Sequence, residues 1–432
     1  MSSERRFEQE LPSLLDELYV GSMPHYRDHI LQQTARARQR PAWSFPGRWL
    51  PVVDITRQPV PALRLPWRAI GLALVLLALL VALAAALVVG ARPKLPKPFG
   101  PAANGLVAYA SGGDIYTADP VAGGSTAIVR GPETDLDPRW SRDGTQLAFE
   151  RKASGDSGPG LVYVAHADGS GLTQVTRTPL ANITNYDFSP DGTQLLISAD
   201  IGGVPGILIA ATDGSGTHQL DVGTPATYAA WRPPDGAEIL FMDAASDGDG
   251  NIKAVSPKTG AVRTILGDES AAGRYRGHPT WSPDGSLISY GEWRDSVNFT
   301  VQVHIVGADG KGDRVLPMPS GAMWQAPESW SNDGTHLLVI RGYTGVADQT
   351  TRLVAAPVDG KGTGIEIRYP SAINTSVPVD WEWAPDDSTI LGTPVSASGS
   401  QLDQVLLDPV KGTSRTVPWK SSSQPSWQRL GR

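Results

Sequence analysis

The chain contains no cysteine, and this absence excludes several kinds of chemistry. Without cysteine there is no disulfide framework, no iron–sulfur cluster, no thiolate zinc site and no thiol nucleophile. A glycine-rich loop ending in Lys-Ser or Lys-Thr, the usual phosphate-binding loop, is also missing. By contrast, 47 glycines and 36 prolines occur among the 432 residues, which favours many turns over long helices.

A long apolar stretch separates a short N-terminal segment from the rest of the sequence. Residues 69–91 carry no polar or charged side chain, and Arg68 and Arg92 bracket them. As a helix the stretch would extend about 34 Å, enough to cross a hydrocarbon core of roughly 30 Å. The sequence therefore predicts one transmembrane helix over residues 69–91, followed by a proline-rich linker over residues 92–103.

The charges on either side of this stretch predict its orientation. Residues 1–68 hold ten arginines and seven acidic residues, so this segment is basic, whereas the whole chain has a net charge of −7. Short basic segments stay in the cytoplasm, and long domains are exported largely regardless of their charge. We therefore expect a single-pass protein of the cytoplasmic membrane, with residues 1–68 inside and residues 104–430 outside.

One aromatic turn motif recurs through residues 104–430. Its regular form is aromatic-Ser-Pro-Asp-Gly, which suits a type I turn, and successive aromatics lie 43 to 53 residues apart. The aromatic and the turn aspartate of each copy are Trp140 and Asp143, Phe188 and Asp191, Trp231 and Asp235, Trp281 and Asp284, Trp330 and Asp333, and Trp383 and Asp386, with a further Trp427 near the end. An apolar run follows each turn. This period is typical of four-stranded propeller blades, and we expect each aromatic to pack between neighbouring blades.

A second series of turns lies 25 to 30 residues after each aromatic, where the later hairpin of a blade belongs. One more such turn, over residues 120–123, precedes the first aromatic copy, so the strands around it lack a first strand. The segment around Trp427 would supply that strand and close the ring, which removes the exposed sheet edges. The sequence therefore predicts an all-β, seven-bladed propeller.

These residues resemble the TolB-like, WD-repeat-like β-propeller family, whose repeat carries the aromatic-Ser-Pro-Asp-Gly motif. The resemblance covers roughly residues 104–430. It implies a propeller fold and leaves six blades, common in that family, as the alternative to seven. Such propellers also occur beside an α/β-hydrolase domain in prolyl oligopeptidase-type peptidases. Because this sequence stops at Arg432, we expect no such catalytic domain.

Three short motifs suggest chemistry, and each has a simpler explanation. Residues 155–158 match the Gly-Asp-Ser-Gly of a trypsin-like nucleophile, but they lie in a predicted hairpin loop. Residues 247–251 resemble the start of a calcium loop whose later ligands are missing. The turn aspartates could bind a cation in a central channel, although such aspartates ordinarily accept hydrogen bonds within their own turn. We therefore expect no enzyme, no cofactor and no metal site.

The remaining aromatic residues and the N-terminal segment leave alternatives open. Trp293, Phe299, Trp324, Trp381 and Trp419 would line a ligand surface or belong to the core. In the N-terminal segment, Leu14 and Leu18 lie on the apolar face of a predicted short helix, and Trp43 and Trp49 lie in a basic, proline-rich stretch. That stretch is typical of a juxtamembrane segment on anionic headgroups, or it would dock a cytoplasmic protein.

Residues 1–91 resemble, in architecture, bacterial membrane proteins of the anti-sigma type. The zinc-binding motif His-x-x-x-Cys-x-x-Cys of that class is absent here. Two functions follow as expectations: a non-enzymatic propeller that binds protein or glycan in the cell envelope, or a signalling protein whose cytoplasmic segment binds a transcription regulator. A hydrolase acting in the propeller channel is a weaker third, and no direct contact with nucleic acid is expected.

Overall fold

The computed structural model describes residues 71–79, 95–153, 155, 157–243, 250–267, 273–294, 301–343, 351–367, 381–393 and 403–431. The chain divides into two units, Met1–Val88 and Val89–Arg432. In the first unit a helix covers residues 71–79. No helix within the described ranges combines the length and the apolar character needed to cross a bilayer. Most of the predicted span over residues 69–91 lies outside those ranges, so the transmembrane helix stays a prediction.

The described part of the second unit holds 28 strands in seven four-stranded antiparallel sheets, which are the blades of a propeller. Blade 1 contains β1 (Ala103–Ser111), β2 (Asp114–Asp119) and β3 (Gly123–Val129). Blade 2 contains β4 (Thr134–Trp140), β5 (Gln146–Lys152), β6 (Leu161–His166) and β7 (Thr173–Gln174). Blade 3 contains β8 (Ala181–Phe188), β9 (Gln194–Ile201), β10 (Val204–Ala211) and β11 (Thr217–Leu220). Blade 4 contains β12 (Ala226–Trp231), β13 (Ile239–Asp243), β14 (Ile252–Val255) and β15 (Val262–Leu266).

The remaining strands complete the ring. Blade 5 contains β16 (Arg274–Trp281), β17 (Leu287–Arg294), β18 (Val301–Gly307) and β19 (Arg314–Val315). Blade 6 contains β20 (Ala322–Trp330), β21 (His336–Tyr343), β22 (Thr351–Pro357) and β23 (Ile365–Ile367). Blade 7 contains β24 (Trp381–Trp383), β25 (Ile390–Gly392), β26 (Val405–Asp408) and β27 (Thr413–Thr416), and β28 (Ser426–Leu430) returns to blade 1.

The two ends of the propeller meet in blade 1. The strand order of that sheet is β28-β1-β2-β3, so the last strand of the chain supplies the first strand of the first blade. The pairing is antiparallel and joins Val107 to Trp427 and Ala103 to Leu430. This confirms seven blades and the predicted closure, and the six-bladed alternative is wrong.

The core of the propeller lies between the blades. Seven clusters of buried apolar side chains each join two successive blades, and each includes one aromatic of the repeat. The second strand of a blade has neighbouring blades on both of its faces. In β13, for example, every residue is buried. Strands buried on both faces need continuous apolar runs, which is the pattern that follows each turn motif. The prediction that the aromatics pack between blades is therefore confirmed.

Candidate functional site

The first strands of the blades surround the axis of the ring. Successive first strands, from β28 through β4, β8, β12, β16 and β20 to β24, pack against one another. Blades 1, 2, 3, 6 and 7 together enclose a cavity of about 350 Å³ on this axis, which we call the channel cavity. Its lining residues are Arg139, Trp140, Ser141, Arg142, Asn185, Tyr186, Asp187, Ser329, Trp330, Asn332, Trp381, Glu382, Trp383, Pro385, Gln424, Ser426, Trp427 and Arg429.

Most polar lining residues occupy two fixed positions of the repeat. The residue immediately before the aromatic is Arg139, Asp187, Ser329, Glu382 or Ser426 in the five blades that line the cavity. The second residue after the aromatic, proline in a regular copy, is Arg142 in blade 2, Asn332 in blade 6 and Arg429 in blade 1. The repeat therefore places variable side chains around the axis while its aromatics fill the spaces between blades.

Arg429 is the most buried cation of the channel cavity, with 7% of its surface exposed. Its Nη1 donates to Asn332 Oδ1 at 2.7 Å, and its Nη2 donates to the carbonyl oxygen of Gly100. Its Nε has no hydrogen-bond partner among the described residues. Burial lowers the pKa of Arg429 to about 10, and the positive charge of Arg142 acts in the same direction. The side chain is thus a buried cation whose hydrogen-bond acceptors are all neutral.

Asn332 is held in place by an aspartate from the next blade. Asp387 Oδ1 accepts from the backbone N–H of Asn332 at 2.6 Å and from its Nδ2 at 2.9 Å, and Asp387 Oδ2 accepts from Asp333 N–H at 2.9 Å. Since the amide nitrogen of Asn332 is fixed in this way, its Oδ1 is presented to Arg429. Burial raises the pKa of Asp387, although these same hydrogen bonds act in the opposite direction.

Two further arginines enter the channel cavity from blade 2. Arg142 forms an ion pair with Asp187 of blade 3, and its guanidinium carbon lies 4.9 Å from the centre of the Phe99 ring. Its Nε, like that of Arg429, finds no acceptor within the described part of the chain. Arg139 donates to the side-chain oxygen of Gln424. Of these three arginines, only Arg142 is paired with a carboxylate of the described residues.

Glu382 is the second carboxylate of the channel cavity. Both of its oxygens lie 3.1 Å from the backbone nitrogen of Trp427, which donates to them across the blade 7–blade 1 interface. Burial raises the pKa of Glu382 to about 7, although the charge of Arg139, the Trp427 hydrogen bond and the charges of Arg142 and Arg429 all lower it. Near neutral pH this side chain therefore exists in both protonation states.

The turn aspartates of the repeat stabilise their own turns. Asp284 Oδ1, for example, accepts from Ser282 Oγ at 2.6 Å and from the backbone N–H of Ser286 at 3.0 Å. Asp143, Asp191 and Asp333 make the equivalent pairs of bonds, and Asp235 and Asp386 accept from the backbone two residues ahead. Among the described residues no group of three or more histidine or acidic side chains is placed to hold a metal ion. The interpretation of these aspartates as turn residues is therefore favoured over a ring of cation ligands.

The other candidates from the sequence are scattered or lie outside the described residues. Gly155 falls between β5 and β6, as the hairpin-loop interpretation requires. Trp419 is buried in the core between blades 7 and 1, which favours the core interpretation for this residue. Trp381 belongs to the core between blades 6 and 7 and also lines the channel cavity. The sequence candidates that lie outside the described ranges are Leu14, Leu18, Trp43, Trp49, Asp247, Asp249 and Phe299.

The charged residues of the channel cavity were missed from the sequence, although a signal for them existed. Arg142 and Asn332 replace the proline of the regular turn, and Asp387 replaces its final glycine. Arg429 occupies the proline position after Trp427, in a copy that has also lost the serine and the aspartate of the motif. The departures from the repeat thus mark the site more clearly than the repeat itself.

Residues 107–334, more than half of the chain, match the family model described as PD40, TolB beta propeller domain. The chain belongs to this family of TolB-type propellers.

Individual relatives match less of the chain. It is 24% identical over 184 residues to "Uncharacterized peptidase YuxL" of Bacillus subtilis (strain 168), covering 41% of this chain and 24% of that protein. It is 40% identical over 78 residues to dipeptidyl-peptidase 5 of Porphyromonas endodontalis, covering 18% of this chain and 11% of that protein. The crystal structure of oligogalacturonate lyase from Vibrio parahaemolyticus has a TM-score of 0.53 and 14% identity, covering 74% of this chain and 88% of the other. The chain spans a quarter or less of the length of these two peptidases, and the structural likeness shows the fold alone.

Proposed function

We propose that this protein is a membrane-anchored, non-enzymatic binding protein of the cell envelope, whose propeller binds a protein or glycan ligand at the channel cavity. The observation that carries this proposal is the unequal distribution of charged and polar side chains around the channel wall. Arginines, carboxylates and amides from blades 1, 2, 3, 6 and 7 converge on one cavity of about 350 Å³. This volume is at the small end of the roughly 300–1,000 Å³ typical of ligand sites. The channel cavity therefore admits a short segment or a single group of a larger ligand.

Anchoring rests on the sequence. The apolar stretch over residues 69–91 would hold the propeller at the outer face of the cytoplasmic membrane, with the basic residues 1–68 inside. Fusing a reporter enzyme that is active only outside the cytoplasm after residue 431, and in a second fusion before residue 1, tests this topology. We expect only the C-terminal fusion to be active. Activity of the N-terminal fusion alone would show the opposite orientation.

Binding at the channel cavity is tested by crosslinking in intact cells that express the full chain. The wild type is expected to yield a crosslinked protein or glycan that is lost in Arg142→Gln, a variant that removes one cavity cation. The matched control is Arg130→Gln, which removes an exposed arginine at the outer end of blade 1, away from the channel cavity. Equal yields from Arg142→Gln and Arg130→Gln would show that the ligand binds elsewhere.

A catalytic function is the second candidate, and Glu382 is the observation in its favour. A carboxyl group with a pKa of about 7 has the proton affinity of a general acid or base at neutral pH. The lining residues include three serines but no histidine that would activate one of them. The test is whether the protein hydrolyses or eliminates a glycan or peptide substrate. A Glu382→Gln variant that still binds the substrate but has lost this activity would favour catalysis over binding alone.

Signalling through residues 1–68 remains the alternative role of the anchor. Its basis is the apolar face that includes Leu14 and Leu18, since a simple anchor needs no amphipathic helix. Affinity capture from native lysate with the full chain, read by mass spectrometry, tests it. A transcription regulator lost in the Leu14→Asp, Leu18→Asp variant would support signalling, and capture of lipid and background alone would contradict it.

A further inference from the structure

The segment that precedes β1 lies against one end of the channel. Residues 97–102, which we call the strap, contact the proline position of the repeat in three successive blades. The contacts join Phe99 to Arg142 of blade 2, Gly100 to Arg429 of blade 1, and Ala102 to Pro385 of blade 7. All three of these partners line the channel cavity. The strap therefore lies across the part of the cavity mouth that blades 7, 1 and 2 form, at the end of the blades that carries the turn motif.

Two arginines hold the strap in this position. Arg142 Cζ lies 4.9 Å from the centre of the Phe99 ring, which is a cation–π geometry. The ion pair between Arg142 and Asp187 fixes the guanidinium against which the ring packs. Arg429 Nη2 donates to the carbonyl oxygen of Gly100. Each of the two arginines thus contacts the strap and also lines the cavity.

The strap is attached to the propeller only shallowly. Residues 98–100 are half-buried, whereas Lys97 and Pro101 are exposed. The strap belongs to no strand, since β1 begins at Ala103. Segments with few buried contacts and no pairing in a sheet open locally at a small fraction of the free energy of global unfolding. The strap can therefore leave the mouth of the cavity while the seven blades stay folded.

We propose that the strap is a gate of the channel cavity, which closes the mouth at the turn end and is displaced when a ligand enters from that end. This inference rests on the proposed function, in which the channel cavity is the ligand site. The strap occupies the guanidinium face of Arg142 and one donor of Arg429, so strap and ligand compete for the same two side chains. Since only the open fraction of molecules binds, the docked strap weakens the apparent affinity in proportion.

The test uses the absence of cysteine from the chain. Ser329→Cys places a single thiol in the cavity wall of the full chain in detergent micelles, and its reaction with a small methanethiosulfonate is followed by mass spectrometry. Phe99→Ala removes the ring that lies on Arg142, and we expect it to raise the labelling rate about tenfold. An unchanged rate would overturn the proposal, because the thiol would then be reached without movement of the strap.

A second variant loosens the strap through its backbone alone. Gly100 has a φ of 86°, and a Cβ added there would meet no atom within 4 Å, so Gly100→Ala strains the backbone without a clash. This variant keeps Phe99 and should also accelerate labelling. The matched control is Leu95→Ala, which removes a side chain that is 59% exposed just ahead of the strap and should leave the rate unchanged. Equal acceleration in Leu95→Ala and Phe99→Ala would contradict the contacts assigned to the strap.

A second thiol position separates opening of the strap from loosening of the whole propeller. Ser289 in blade 5 is completely buried, so the thiol of Ser289→Cys reacts only when the fold itself opens. Phe99→Ala should leave its labelling rate unchanged. Equal acceleration at Ser289→Cys and at Ser329→Cys would mean that the ring as a whole is destabilised, and the gate would be refuted.

Crosslinking in intact cells distinguishes failure of the gate from failure of the proposed function. Phe99→Ala is expected to increase the yield of the crosslinked ligand, because the open fraction rises. If thiol labelling is unchanged in Phe99→Ala while the ligand is still lost in Arg142→Gln, the gate fails and the proposed function stands. If labelling rises in Phe99→Ala but no variant yields a crosslinked ligand, the strap still closes the mouth and the proposed function fails.

Discussion

The two sides of the channel differ in what their blades present to the axis. In blades 4 and 5 the residue before the aromatic is Ala230 or Thr280, and the proline position keeps Pro233 or Pro283. In blades 1, 2 and 7 the same two positions carry Arg139, Arg142, Glu382 and Arg429 among others. Both sides keep the aromatic, and every one of these blades except blade 1 keeps the turn aspartate. The positions that build the fold are therefore separate from those that carry charge, and only the latter differ between the two sides.

Removing the aromatic should have the same effect on both sides, because that position belongs to the fold. Trp281 in blade 5 is 6% exposed and Trp140 in blade 2 is 5% exposed, and each lies in an interblade core. Trp281→Ala and Trp140→Ala should each lower the free energy of unfolding by about 3–5 kcal/mol. Denaturant unfolding followed by far-UV circular dichroism measures both. Values that differ by more than about 2 kcal/mol would show that the two sides are not equivalent in the fold.

Glu382 lies on the charged side of the channel, and removing its charge should change the free energy of unfolding only above a certain pH. The folded-state pKa of about 7 lies above the ordinary value of 4.5, so between these values the folded protein binds more protons than the unfolded chain. Glu382 therefore lowers stability progressively as the pH rises from 4.5 to 7, while Arg139, Arg142 and Arg429 around it stay protonated.

Glu382→Gln should accordingly stabilise the propeller at pH 8 by up to about 3 kcal/mol and have little effect near pH 4. Unfolding of wild type and variant at both pH values checks this. A stabilisation of equal size at the two pH values would mean that the effect comes from packing and not from the charge.

Restoring the regular turn in blade 7 should weaken the site. Asp387 has a φ of 62°, where the regular copies have glycine, so Asp387→Gly removes backbone strain. The variant also loses the three hydrogen bonds that hold Asn332 and Asp333, and we expect a net destabilisation of about 1–2 kcal/mol. Thermal unfolding measures the change, and the yield of the crosslinked ligand in intact cells reports the loss of Asn332 positioning. A more stable variant with an unchanged crosslinking yield would show that Asp387 makes no contribution to the site.

The fold was predictable from the sequence because it depends on local patterns that repeat. The aromatic at one end of each first strand, the turn that follows and the apolar second strand recur often enough to count blades, and the unpaired first copy predicted the closure through Trp427. The channel cavity was harder, because its contacts join residues far apart in the chain. Arg429 bonds to Asn332 across 97 positions, and Glu382 accepts from Trp427 across 45. Such pairs follow from how the blades are arranged around the axis of the closed ring, and no local pattern encodes them.

The closure of the ring also determines how the propeller responds to mechanical force. The segment over residues 95–102 enters directly before Ala103, whose strand partner is Leu430 at the other end of the propeller. The bonds from Ala102 N–H to Pro385 O, at 2.7 Å, and from Arg429 to Gly100 lie at the same place. Tension along that segment is therefore transmitted first to the seam between the two chain ends, so a pull strong enough to break those bonds opens the ring where it was closed.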